Sequence, residues 1–125
     1  MSARADLAAA LKADLAEHSD LKWRVIPHAT DIDRVEAGHL VLMVFQNTVT
    51  PGLARSLSRS MALRIVTGRI NPGDADDELD QGLDDVIAAL DRISPALFQN
   101  ATRGTLQDDA YPAYLVEVQL ITQKG

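Results

Sequence analysis

The segment that decides the fold is Leu40 to Arg69, which reads LVLMVFQNTVTPGLARSLSRSMALRIVTGR. It opens with the most apolar run of the chain, Leu40 to Phe45, whose length and β-branched content are typical of a central strand. Polar residues extend this strand over 40–50, and Pro51-Gly52 then breaks the chain. Alternating apolar and polar residues predict a second strand over 57–69. The segment therefore predicts a long β-hairpin.

The second strand of this hairpin is expected to present different side chains on its two faces. Because side chains in a strand point alternately to opposite sides, Arg64 should point away from Arg59. One face should carry Leu57, Arg59, Met61, Leu63 and Ile65. The other should carry Ser58, Ser60, Ala62, Arg64 and Val66.

One helix and three further strands are predicted outside the hairpin and the acidic segment. Leucines at four-residue spacing predict an amphipathic helix over 2–16, with Ser2 as its N-cap. The polar stretch Thr30–Gly38 is predicted to be a loop. Alternation and turn residues predict strands at Lys22–Ile26, at Leu97–Leu106 as an edge strand, and at Tyr111–Thr122.

The most acidic segment is Asn71 to Asp85, written NPGDADDELDQGLDD. Aliphatic residues at helical spacing over Leu79–Leu90 predict a core-packing helix, with Asp74 as its N-cap after a Pro-Gly turn and Ser94-Pro95 at its end. A calcium loop counted from Asp74 fails, because a leucine stands where the turn glycine is needed. We interpret the acids as a solvated helix face. The alternative is a metal site built from helix neighbours among Asp76, Asp77, Asp80 and Asp84.

These elements predict an α+β fold in the order α-β-β-β-α-β-β. Its sheet is expected to be mixed or mainly antiparallel, with a long β-hairpin and both helices packed on one face. Because the 125 residues suit one core and contain no linker-like stretch, we predict a single domain over residues 1–125.

Composition limits the classes of function. The formal net charge of −6 argues against general affinity for nucleic acid or anionic membranes. The chain contains no cysteine, which excludes thiolate catalysis and zinc–thiolate sites. No Gly-x-Ser-x-Gly elbow or phosphate-binding loop is present. No apolar run approaches the roughly 18 residues that span a bilayer. We therefore predict that the protein is not an enzyme and needs no cofactor or metal.

Arginines recur along the hairpin, and acids recur along the second helix. Solvated side chains that cover apolar surface explain such arginines without a function. The alternatives are an intramolecular ion pair, contact with the acidic surface of a neighbouring subunit, and contact with nucleic acid. The candidate subunit or partner interface therefore comprises Arg55, Arg59, Arg64, Arg69, Asp76, Asp80 and Asp84.

Several motifs occur in one order over nearly the whole chain. An Ala- and Leu-rich first helix leads to Trp-x-Val-x-Pro at Trp23–Pro27, and the long hairpin follows. Then come Ala-Asp-Asp-x-Leu-Asp and its helical continuation over Ala75–Leu90, and Tyr-Pro-x-Tyr-x-Val at Tyr111–Val116. In order, spacing and total length, the chain resembles the tail terminator (minor tail) proteins of long-tailed bacteriophages, especially those that infect actinobacteria.

The resemblance implies a structural virion protein of the tail and neck, assembled in the host cytoplasm. Such α+β subunits form a hexameric ring that caps the head-proximal end of the tail tube, ends tube polymerisation and offers a surface to the head–tail connector. Six copies at −6 each would carry −36. Such an acidic lumen would let the genome DNA slide through without sequence-specific binding. The family supplies no catalytic residue to carry over. The alternatives are another ring-forming neck protein, such as a head-completion or stopper protein, and a small metal-binding domain that uses the acidic helix.

Overall fold

The computed structural model describes residues 3–27, 38–51, 56–69, 71–93, 96–106 and 111–123. The order α-β-β-β-α-β-β is confirmed. The elements are α1 Ala3–His18, β1 Lys22–Ile26, β2 His39–Pro51, β3 Ser56–Thr67, α2 Pro72–Arg92, β4 Ala96–Leu106 and β5 Tyr111–Gln123. Neither helix of the described chain is long and apolar enough to cross a membrane. The predicted cap Ser2 and residues 30–37 of the predicted loop lie outside the described residues.

The five strands form one sheet in the order β1-β2-β3-β5-β4. β1 runs parallel to β2, and the other three neighbouring pairs are antiparallel. The long hairpin is confirmed, because β2 and β3 pair from Leu40 opposite Thr67 to Pro51 opposite Leu57. β4 lies at an edge, as its sequence predicted. The α+β class with a mixed, mainly antiparallel sheet is therefore confirmed.

Both helices pack on the same face of the sheet, which we call the helix face. The alternation predicted for β3 is confirmed, because Met61, Leu63 and Ile65 are fully buried there. The main core joins side chains of both helices to β2, β3 and β5. Its members on the helices include Leu7, Leu11, Leu15, Leu79, Val86 and Leu90, and those on the strands include Leu40, Leu42, Val44, Val116 and Val118.

A second, smaller cluster lies on the opposite face of the sheet, which we call the second face. Val41 and Met43 of β2 are buried there together with Ile26, Val66 and Ala113. The first half of β2 is thus buried on both faces. This explains why its sequence is a continuous apolar run instead of an alternating one.

The start of α2 differs from the prediction. Asn71, not Asp74, is the N-cap, since its Oδ1 accepts hydrogen bonds from the backbone N–H groups of Gly73 (3.0 Å) and Asp74 (3.3 Å). Pro72 occupies the first helical position, where its fixed φ suits the helix and its missing N–H costs nothing. The Pro-Gly pair therefore begins the helix and does not form a turn before it. The end was correctly predicted, because Ile93 is the C-cap.

Candidate functional site

The acidic helix, the edge strand and the last strand together form an open cleft, which we call the α2–β4–β5 cleft. Its volume is about 660 Å³. Two of the predicted site residues, Asp76 and Asp80, line it from α2. The remaining wall comes from β4 and β5 and consists of Arg103, Gly104, Pro112 and Tyr114.

Arg103 joins the three elements of the cleft. Its Nη2 donates to Oδ1 of Asp76 at 2.6 Å, and its guanidinium carbon lies 5.8 Å from the centroid of the Tyr114 ring. Its Nη1 donates to the carbonyl oxygens of Gly104 at 3.3 Å and Ala113 at 3.4 Å. Because the Asp76 side chain is 60% exposed, the ion pair contributes at most about 1 kcal/mol to stability. Its main effect is to orient the guanidinium over the ring.

Tyr114 is held as a neutral hydrogen-bond donor. Its hydroxyl donates to Oδ1 of Asp80 at 3.2 Å. Burial of the ring raises the pKa of Tyr114 above 10.0, and the hydrogen bond and the negative charge of Asp80 raise it further. A phenol in this state cannot serve as a base or nucleophile near neutral pH. Tyr114 therefore suits recognition and positioning.

The cleft contains two carboxylates and one cation, and each carboxylate is already engaged within the subunit. Asp76 binds Arg103, and Asp80 accepts from Tyr114. Nowhere among the described residues do three or more histidine, cysteine or acidic side chains come together in a way that could hold a metal ion. The arrangement can fix α2 against the β4–β5 hairpin, and its surface carries a net negative charge.

The arginines of the hairpin do not form one patch. Arg59 is half-buried on the helix face, where it lies between Val49 and Leu120 in the sheet register. Arg64 lies on the second face, with its guanidinium carbon 5.5 Å from the centroid of the Phe45 ring. The predicted opposite orientation of these two arginines is thus confirmed. Arg55 lies outside the described residues.

Arg69 makes an ion pair within the subunit. Its Nε donates to Oε2 of Glu78 at 3.2 Å, and the hydroxyl of the fully buried Thr67 donates to Oε1 of the same carboxylate at 2.7 Å. The Glu78 side chain is only 9% exposed. The interpretation of the acids as a uniformly solvated helix face is therefore wrong for Glu78. A nearly buried carboxylate is stable there because both of its oxygens have donors.

The other acids of α2 divide between contact and solvent. Asp85 accepts a hydrogen bond from the Ser19 hydroxyl at 2.7 Å, and this hydroxyl also accepts from the indole N–H of Trp23 at 2.9 Å. Asp84, the last of the predicted interface acids, is exposed, as are Asp74 and Asp77. Asp76 and Asp80 therefore meet in one site, whereas Asp84, Arg59, Arg64 and Arg69 lie elsewhere.

Sequence reasoning missed Arg103 and Tyr114 as members of this site. They stand directly opposite each other in the β4–β5 ladder, so their side chains share the helix face. The alternation of each strand indicates that each residue faces the helices. Neither segment alone indicates the pairing register that places the two residues opposite each other.

Neither the comparison with protein-family models nor the comparison with curated proteins found a match for the chain.

Proposed function

We propose that this protein is a ring-forming structural protein of a long-tailed bacteriophage, which caps the head-proximal end of the tail tube. In this role a hexameric ring ends polymerisation of the tube protein and joins the tail to the head–tail connector. The protein acts in the virion as a scaffold and not as a catalyst, and the genome DNA passes through the ring without sequence-specific contacts.

The observation that carries the proposal is the order and spacing of motifs along nearly the whole chain. The fold supports it, because the resemblance implies an α+β subunit and the chain has that fold. The geometry of the α2–β4–β5 cleft also supports the proposal. Tyr114 is a neutral donor, Asp76 is bound by Arg103 and Asp80 by Tyr114, an arrangement better suited to holding elements and partners than to chemistry.

The test is the oligomeric state together with binding to tail tubes. Size-exclusion chromatography with light scattering should give a hexamer, either for the protein alone or after addition of tubes assembled from the tube protein encoded in the same phage genome. Electron microscopy should then show the protein at one end of each tube, and capped tubes should stop growing when more tube protein is added. An unrelated monomeric acidic protein of similar size serves as the control.

Two results would contradict the proposal. A protein that stays monomeric with and without tubes cannot be a terminator ring. A ring that binds only portal-side complexes and never tube ends would indicate a head-completion or stopper protein instead.

A further inference from the structure

Among the described residues, two strand edges on opposite sides of the sheet have no paired neighbour, and we call them the uncovered edges. β1 pairs with β2 only from His39 to Met43. Within the described residues, no strand pairs with the outer side of β2 over Val44–Pro51 or with the outer side of β4. Each edge presents backbone N–H and C=O groups that can accept another strand.

The two edges also carry the exposed apolar surface of the sheet. In the described part of the chain, the large apolar side chains with high exposure are Val49 (41%) and Leu97 (54%), one on each uncovered edge. Proteins protect lone edge strands with charges, above all lysine. Val44–Pro51 contains no charged residue. The single charge of β4 belongs to Arg103, which is held by Asp76 of its own subunit.

The strand directions make the two edges complementary. β3 is antiparallel to both β2 and β5, and β4 is antiparallel to β5, so β4 runs opposite to β2. A second copy placed beside the first, with its helices on the same side of the sheet, therefore brings its β4 antiparallel to the uncovered half of β2. Such an arrangement is head-to-tail, and a head-to-tail contact closes into a ring when the rotation between copies allows it.

From these edges we infer that neighbouring subunits join by antiparallel pairing of β4 of one copy with Val44–Pro51 of β2 of the next. β1 limits the contact, because Ile26 occupies the position beside Met43 and the partner strand must stop there. The available length is about 27 Å. One bulge in each strand, between Gln46 and Thr48 and between Phe98 and Asn100, divides the ladder into shorter paired segments.

The interface itself is tested by hydrogen exchange of the backbone amides. The full-length protein is compared at concentrations where light scattering shows monomer and where it shows the assembled ring. In the ring, alternate amides of Val44–Thr50 and of β4 should exchange at least about tenfold more slowly. Amides of β3, which pair on both sides within one subunit, should show no such concentration dependence.

Lysine variants test the same contact by an independent route. Val49→Lys and Leu97→Lys place a charge at exposed positions of the two edges, so the monomer should keep its fold by circular dichroism. Each should raise the dissociation constant of the ring by about tenfold or more. Gln81→Lys, which makes the same charge change on the exposed side of α2, should not raise it.

The outcomes separate this inference from the proposed function, on which it rests. A ring whose β2 and β4 amides exchange as in the monomer, or whose assembly tolerates both lysines, overturns the edge pairing and leaves the ring function standing. A dimer in which only β4 gains protection shows β4 pairing with itself and also overturns it. A protein that stays monomeric even with tail tubes overturns both.

Discussion

At the scale of single residues, acids of similar sequence context have different roles. Glu78 is nearly buried between a hydroxyl and a guanidinium, and Asp80 binds a phenol, whereas Asp84 is exposed to solvent. All three stand on one helix within two turns. Their environments differ because the helix points each side chain toward a different neighbour. Glu78 faces the end of β3, Asp80 faces the β4–β5 hairpin and Asp84 faces water.

The first prediction concerns the ionisation of Tyr114. Its pKa is raised in the folded state, so the folded protein holds this proton more tightly than the unfolded chain does. The stabilisation is therefore fully present below the unfolded pKa of 10.0, and it is lost as the pH rises from there through the folded pKa. Tyr114→Phe should lower the free energy of unfolding by about 0.5–1.5 kcal/mol at neutral pH. The difference from the natural protein should shrink above pH 10.0.

Urea unfolding across this pH range measures the difference. A titration of tyrosine absorbance gives the second readout. The component that ionises late, which we assign to Tyr114, should vanish in Tyr114→Phe. Asp80→Asn keeps an oxygen acceptor but removes the negative charge, so Tyr114 should ionise at a lower pH than in the natural protein, and the late component should remain. A late component that persists in Tyr114→Phe would show that it belongs to another group.

At the scale of elements, α2 packs against α1 and against strands across the whole sheet. It contacts α1 through a bidentate ion pair in which Nε and Nη2 of Arg92 donate to the two oxygens of Asp14, at 2.9 and 2.5 Å. The hydrogen bond from Arg92 holds the pKa of Asp14 below its usual value. α2 also packs closely on β1 and β2 at Gly82, where an added Cβ would lie 3.0 Å from Leu40 and 3.2 Å from Trp23.

The second prediction concerns this close approach. Leu40 is fully buried, and Trp23 is fixed by its hydrogen bond to Ser19, so neither side chain can retreat easily. Gly82→Val should therefore lower the free energy of unfolding by about 1–3 kcal/mol through overpacking. Chemical denaturation followed by the fluorescence of the single tryptophan measures this loss.

Gln81→Val is the matched control, because it introduces the same residue, valine, at a neighbouring position of the same helix. Its position is exposed, so it should lose only helix propensity, about 0.5 kcal/mol. If valine is tolerated equally at both positions, the approach of α2 to Trp23 and Leu40 has no energetic consequence.

At the scale of the whole molecule, the net charge opposes assembly, whereas the proposed pairing of strand edges favours it. Every copy carries −6, so assembly into the proposed ring would bring like charges together. The edges proposed to pair contribute almost no charge of their own. Long-range repulsion should therefore dominate the electrostatics of assembly.

The third prediction follows from this balance. Raising the ionic strength from about 0.01 to 0.15 M shortens the Debye length from about 30 to 8 Å, which screens the repulsion between subunits. The ring should therefore assemble more tightly at the higher salt concentration, as measured by light scattering or analytical ultracentrifugation. Gln81→Lys, which lowers the magnitude of the net charge by one per copy, should show a weaker salt dependence. If higher salt instead weakens assembly, the interface consists of paired charges, such as the arginines of the hairpin against the acids of α2.

Much of the fold could be predicted from the sequence because its signals are local. The two-residue period of β3 and β5 and the helical period of α2 each arise from one segment, and so do the breaks at Pro51 and Pro95. They determined the element order, the hairpin and the shared face of the helices. The N-cap of α2 was predicted wrongly although it too is local, since Pro72 at the first helical position moved the start of the helix back to Asn71.

The tertiary structure alone decided which distant segments meet. Backbone hydrogen bonding is the same for every pair of strands, so no single segment contains the register that sets Arg103 opposite Tyr114. Nor does any segment contain the docking of α2 that puts Asp76 within reach of Arg103. The parallel pairing of the short β1 with only the first part of β2 is equally non-local. Among the described residues it leaves the outer side of Val44–Pro51 without a paired strand, because the length of one strand limits how much of its neighbour it can pair with.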